Sequence, residues 1–148
     1  MDVYALAMIH RLQATPQATF VGPKTPTASD FVHAFEALGE LKRNVMWHLG
    51  DLITECERVT GERSAELVSA CGLSVSELED AVRLAERWTP DERDYSLPWS
   101  YYRDAGIDKA LAVPLLVAAA RNDWSRDQLR AAKKAVEAKI ELSELEVK

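Results

Sequence analysis

Between Cys71 and Ser74 the chain carries a helix stop followed at once by a helix start, and this break constrains the fold more than any other feature. The segment Thr60-Gly61-Glu62-Arg63-Ser64-Ala65-Glu66-Leu67-Val68-Ser69-Ala70-Cys71 leads into Gly72-Leu73-Ser74-Val75-Ser76-Glu77-Leu78. Gly72 lacks a Cβ and admits the left-handed backbone of a sharp turn. Ser74 and Glu77 then form an S-x-x-E capping box, in which each side chain satisfies an exposed backbone N–H of the new helix. Leu67, Val68 and Cys71 before the turn, Leu73 in it, and Leu78, Ala81, Val82 and Ala85 after it are the apolar residues that lock two helices at a steep angle. The spacing predicts a helix-turn-helix at about 62–87.

The remainder is helical as well. From Ser29 or Asp30, either a good N-cap, the residues Phe31, Phe35, Leu38, Val45, Leu49, Leu52 and Cys56 recur at helical spacings up to Thr60-Gly61. Gly39 and Gly50 weaken this pattern, which predicts a break in the Gly39 to Asn44 region. Further helices are expected over Trp99 to Ala105, Asp108 to Arg121 and Ser125 toward Leu142, with Pro114 either in a first turn or at a kink. No alternating strand pattern interrupts them. Ahead of the body, Met1 to Leu12 shows no clear period, and Thr15 to Ala28, with Pro16, Gly22, Pro23 and Pro26, has the composition of a connecting arm. The expected architecture is all-α: an N-terminal arm over 1–28 and a multi-helix domain over 29–148.

An apolar fraction of 47% in 148 residues is enough to bury one core. Cys56 and Cys71 occupy apolar helical positions without ligand spacing and read as buried free thiols rather than a metal site. No run reaches the length of a membrane span and no signal sequence opens the chain, so a cytoplasmic location is expected. His10, His33 and His48 are scattered, and no paired-carboxylate frame or glycine-rich phosphate loop is present. Asp51 reads as a hydrogen-bonding or packing residue. The expectation is therefore a non-enzyme, with no catalytic residue, no metal and no cofactor.

In a helix-turn-helix the second helix offers its N-terminal and outer residues to the major groove, here Ser74, Ser76, Glu79, Asp80 and Arg83, with Arg87 nearer the backbone. Arg83 suits guanine and the serines suit base edges or phosphate, whereas the carboxylates accept from cytosine N4 and are repelled by phosphate. A second restart lies at Asn122-Asp123-Trp124-Ser125, where Ser125 and Gln128 repeat the capping box and Asn122 suits the left-handed turn position. The helix that follows lines up Arg126, Arg130, Lys133 and Lys134 on one face, the most basic patch in the chain and a second candidate DNA contact. Its opposite stripe of Leu129, Ala132, Val136 and Ile140 packs on the body or pairs with a second copy. Trp88, Tyr95, Trp99, Tyr101 and Tyr102, interleaved with Arg93 and Arg103, read as core anchors rather than as a base-stacking platform.

The run Trp47-His48-Leu49-Gly50-Asp51-Leu52, then Thr60-Gly61-Glu62, Cys71-Gly72-Leu73-Ser74, Pro90-Asp91-Glu92-Arg93, Leu97-Pro98-Trp99-Ser100 and Trp124 to Arg130 follows an order that resembles the helix-turn-helix part of ParB/KorB-type partition proteins and some phage repressors. The arginine-rich nucleotide-binding boxes of full partition proteins are missing, so the resemblance implies DNA binding without nucleotide hydrolysis. It implies a sequence-specific regulator of double-stranded DNA, of the kind carried by phages and other mobile elements. A partition or replication accessory protein is an alternative within the same class. The net charge of -6 and the acidic residues of the second helix favour a different class, an acidic protein-interaction module. A homodimer, through the C-terminal helix or the N-terminal arm, would suit a symmetric operator.

Overall fold

A computed structural model describes Thr25, residues 27–61 and residues 72–146. These residues form five α-helices, with no strand among them: α1 (Ala28–Thr60), α2 (Val75–Arg87), α3 (Trp99–Ala105), α4 (Lys109–Arg121) and α5 (Arg126–Glu146), with a 3₁₀ turn at Pro90–Glu92. The all-α class is as expected. The first helix of the expected motif, with Leu67, Val68 and Cys71, lies outside the described residues, as does the arm through Lys24. By internal packing the chain divides into two units, Met1–Val45 and Met46–Lys148.

In the first unit α1 is capped one turn earlier than expected. Thr27, not Ser29 or Asp30, is the N-cap: the Asp30 carboxylate accepts from the Thr27 backbone N–H at 2.7 Å, and Thr27 Oγ1 accepts from the Asp30 N–H at 3.3 Å. A threonine with an acid three residues later closes the same reciprocal box as Ser with Glu. The expected break at Gly39 to Asn44 is absent, and α1 runs unbroken to Thr60. A glycine inside a helix costs about 1 kcal/mol relative to alanine, too little to end a helix that good formers continue on both sides.

In the second unit α1 turns a different stripe inward from the one its spacing predicts. Trp47, Gly50 and Ile53 are buried, whereas Leu52 is exposed and Leu49 and Cys56 are half-buried. Gly50 sets this register: a Cβ built there would lie 2.4 Å from the Ala81 carbonyl oxygen and 2.8 Å from the Ala85 Cβ. The backbone of α1 thus rests directly on α2, which only a glycine permits. Cys56 is consequently a half-buried free thiol rather than a buried one.

The main core gathers Trp47, Ala81, Leu84, Trp88, Leu97, Trp99, Tyr102, Ala105, Ala112 and Leu116. Short α3 packs against α2, α4 and α5. Its Tyr102 ring stands edge-on to both Trp47 and Trp88, with centroids 5.1 Å apart in each pair. Trp88, Trp99 and Tyr102 are core anchors as expected, while Tyr95 is exposed. Arg93 lies among them with its side chain 1% exposed. It donates to both oxygens of Asp51 at 2.7 Å and to the carbonyls of Trp88 and Ala85 at 2.8 and 3.3 Å. Its guanidinium also sits 4.3 Å from the Trp47 ring centroid. Asp51 is thus a hydrogen-bonding residue, as its sequence context predicts.

Pro114 lies not in the first turn of α4 but inside the helix. It has no N–H for the Ala110 carbonyl four residues earlier, and both residues lie on the solvent side, where water can serve that carbonyl.

Candidate nucleic-acid interface

The described part of the motif begins at Gly72, whose φ of 65° is the left-handed conformation expected there. Leu73 then packs against Ile53, Leu78 and Val82, pinning the turn to α1 and α2. Ser74 caps α2 with the full reciprocal box: its Oγ accepts from Glu77 N–H at 3.2 Å, and Glu77 Oε2 accepts from Ser74 N–H at 2.9 Å. That backbone hydrogen bond, with one from the Ser74 hydroxyl, holds the Glu77 carboxyl below its usual range.

Leu78, Ala81, Val82, Leu84 and Ala85 bury the inner side of α2. Ser74, Ser76, Glu79, Arg83 and Arg87 are exposed on its outer side, and Asp80 is half-buried. Arg83 bonds Asp80 at 2.8 Å, one turn back on the same helix. Arg87 donates from Nε to the Ile107 carbonyl at 2.8 Å, tying the end of α2 to the loop between α3 and α4. Arg83, the expected base reader, and Arg87, expected nearer the DNA backbone, therefore both have intramolecular partners. The Arg83–Asp80 pair is solvent-exposed, of a kind worth at most about 1 kcal/mol, so an incoming acceptor can displace it.

The second restart is built as expected around Ser125 and Gln128, whose reciprocal bonds measure 2.8 and 3.3 Å. The left-handed residue, however, is Asp123, with φ 50°, rather than Asn122, which has φ -104° and donates its side-chain amide to the Ala118 carbonyl. Asn122 thus finishes α4, and the reversal is left to the next residue, whose short polar side chain tolerates it.

The basic face of α5 is largely neutralised. Asp104 on α3, its side chain 8% exposed, accepts from Arg126 at 2.7 Å and from Arg130 at 3.2 Å. Arg130 also approaches Asp127 at 3.5 Å, and Lys133 approaches Glu137 at 3.8 Å. Lys134 is exposed, and no ion pair to it is found among the described residues. Of the four cations expected to form a patch, two dock α5 onto α3 and one leans on its own helix. The apolar stripe divides in the same way: Leu129 is fully buried and Ala132 packs beside it, but Val136 and Ile140 are exposed.

Asp104 is the residue that sequence reasoning missed, because nothing near it in the chain announces two arginines more than twenty residues later. Burial pushes its carboxyl up, but hydrogen bonding and charge from Arg126, then from Arg130, outweigh this and hold it below the ordinary value. A carboxyl held low only in the folded state contributes stability in full above its unfolded value of about 3.9, and that contribution is lost as pH falls through the lower folded value. Asp104→Asn is accordingly expected to lower the melting temperature above about pH 5, with the gap closing toward about pH 2. Calorimetry across that range checks this, and a gap independent of pH would contradict it.

No hydrogen bond or ion pair joins the candidate residues of α2 to those of α5 among the described residues. Nor, among these, is any group of His, Cys, Asp and Glu arranged to hold a metal ion. No described helix is long and apolar enough to cross a membrane. No protein-family model, no curated protein and no solved structure matches the chain.

Proposed function

We propose that the protein is a sequence-specific double-stranded DNA-binding regulator that reads the major groove with the N-terminal and outer residues of α2. The observation that carries this reading is the start of α2. It is a doubly capped helix directly after a left-handed glycine, with its inner side fixed to the core and Ser74, Ser76, Glu79 and Arg83 facing solvent. A reading helix needs this combination of rigid placement and a free outer side. The resemblance to partition proteins and phage repressors supports occupancy of an operator as the mechanism, with a phage or mobile-element repressor as the particular kind. Partition or replication accessory binding uses the same surface and differs in where its sites cluster.

Arg83 is the base reader in this account, and Lys134 is the α5 cation free to meet phosphate. Arg83→Ala is expected to lose discrimination at one base position, whereas Lys134→Ala weakens all sequences alike and lowers the salt slope by about one. Binding titrations at several salt concentrations measure both.

A second reading rests on a specific observation. Glu79 and Asp80 lie on or beside the outer side of α2 while Arg83, Arg87, Arg126 and Arg130 are occupied internally, which suits a basic protein partner better than phosphate. Absence of DNA affinity at low salt selects this reading.

A further inference from the structure

We propose that α4 is the interface of a twofold homodimer, pairing antiparallel with the same helix of a second copy. Between Lys109 and Arg121 the helix reads Ala-Leu-Ala-Val-Pro-Leu-Leu-Val-Ala-Ala-Ala, with no charged or hydrogen-bonding side chain. Ala112, Leu115, Leu116 and Ala119 cover the core, so one side is accounted for. The other side is equally apolar: Ala110, Val113, Pro114, Val117 and Ala120 are all exposed, Val113 by 43% and Val117 by 51%. A helix apolar on every side is one that is covered on every side.

The second copy is the occupant that this pattern fits. An isologous interface must be complementary to itself under a twofold rotation. Ala110, Val113, Val117 and Ala120 follow one another at intervals of three, four and three, with the smaller residues outermost, a palindrome in both spacing and size. Antiparallel pairing about the point midway between Val113 and Val117 sets Val113 against the partner's Val117 and Ala110 against the partner's Ala120.

The polar groups of this side also find partners in that register. Arg121 is exposed at the end of the stripe and comes level with the first turn of the partner's helix. There it meets the Ala110 carbonyl that Pro114 cannot bond, together with the Asp108 carboxylate that caps the helix. Arg121 thus lies against two acceptors on each side of the axis, the neighbouring Lys109 being turned to Glu92 and the Trp88 ring. This inference stands apart from the DNA-binding reading, since the pairing requires no nucleic acid.

Sedimentation equilibrium of the full chain without DNA tests it, at about 100 µM, far above the dissociation constant of a micromolar dimer. The expected result is a dimer mass for the wild type and a monomer mass for Val117→Glu, with unchanged circular dichroism and a melting temperature that no longer rises with protein concentration. Val113→Lys combined with Val117→Glu should restore the dimer by placing opposite charges across the axis. A wild-type monomer at that concentration, a dimer that survives Val117→Glu, or a double variant that stays monomeric would each overturn the proposal.

Discussion

Gly50→Ala is expected to destabilise the protein by about 3 kcal/mol, at the upper end of the range for overpacking a core. The added methyl would meet the Ala81 carbonyl oxygen at 2.4 Å and the Ala81 carbonyl carbon at 2.9 Å, and backbone atoms cannot rotate aside. Relief requires α1 and α2 to part, which opens the contacts of Trp47 and Ile53 beside the crossing. The gain in helix propensity, about 1 kcal/mol, is too small to compensate. Gly39→Ala in the same helix is the control. Its Cβ meets nothing nearer than Arg43 Nη1 at 3.9 Å, so there only the propensity gain remains, and the sign of the effect reverses. Urea unfolding of the two variants measures the contrast, and a Gly50→Ala protein as stable as the wild type would contradict the close crossing.

Arg93→Met is expected to cost about 2–3 kcal/mol, less than breaking a fully buried ion pair, because the Asp51 carboxylate is 44% exposed and water can serve it once the guanidinium is gone. Asp51 loses its bidentate partner, the carbonyls of Trp88 and Ala85 lose donors, and the Trp47 ring loses the cation over its face. Arg93→Lys should recover only a minor part of this, because a single ammonium cannot replace the planar fork that serves two carboxylate oxygens and two carbonyls together. Unfolding free energies of the two variants provide the measurement. A lysine variant within about 1 kcal/mol of the wild type would show that charge alone suffices.

These two residues also mark where the sequence was readable and where it was not. The starts of α2 and α5 were legible because a capping box is a local signal, complete within four residues, and Ser74–Glu77 and Ser125–Gln128 both form. α3 and α4 also fall where the sequence places them, at Trp99–Ala105 and Lys109–Arg121. The inward stripe of α1 was not legible. Hydrophobicity placed Val45, Leu49 and Leu52 inside, whereas the backbone of α1 meets α2 at a residue with no side chain at all. Arg93 and Asp51 are separated by 42 positions, and Asp104 and Arg126 by 22, so their pairing leaves no local trace. The basic patch on α5 was correctly placed on one helical face but wrongly credited with free charge, because the acid that neutralises it comes from another helix.

That last point bears on affinity. With Arg126 and Arg130 held by Asp104, α5 has fewer free cations to release counterions from phosphate, so under the DNA-binding reading its nonspecific contribution is expected to be small. Recognition by this protein would then rest more on the fit of α2 in the groove than on charge.

Selection of bound fragments from source genomic DNA by the purified protein, at about 0.15 M salt where nonspecific attraction is already reduced, tests the DNA-binding reading most directly. The account predicts enrichment of one short repeated motif, lost with Arg83→Ala while the variant keeps the wild-type melting temperature. Recovery of no sequence above background, at this salt and again at low salt, would contradict it and turn the outer side of α2 over to a protein partner.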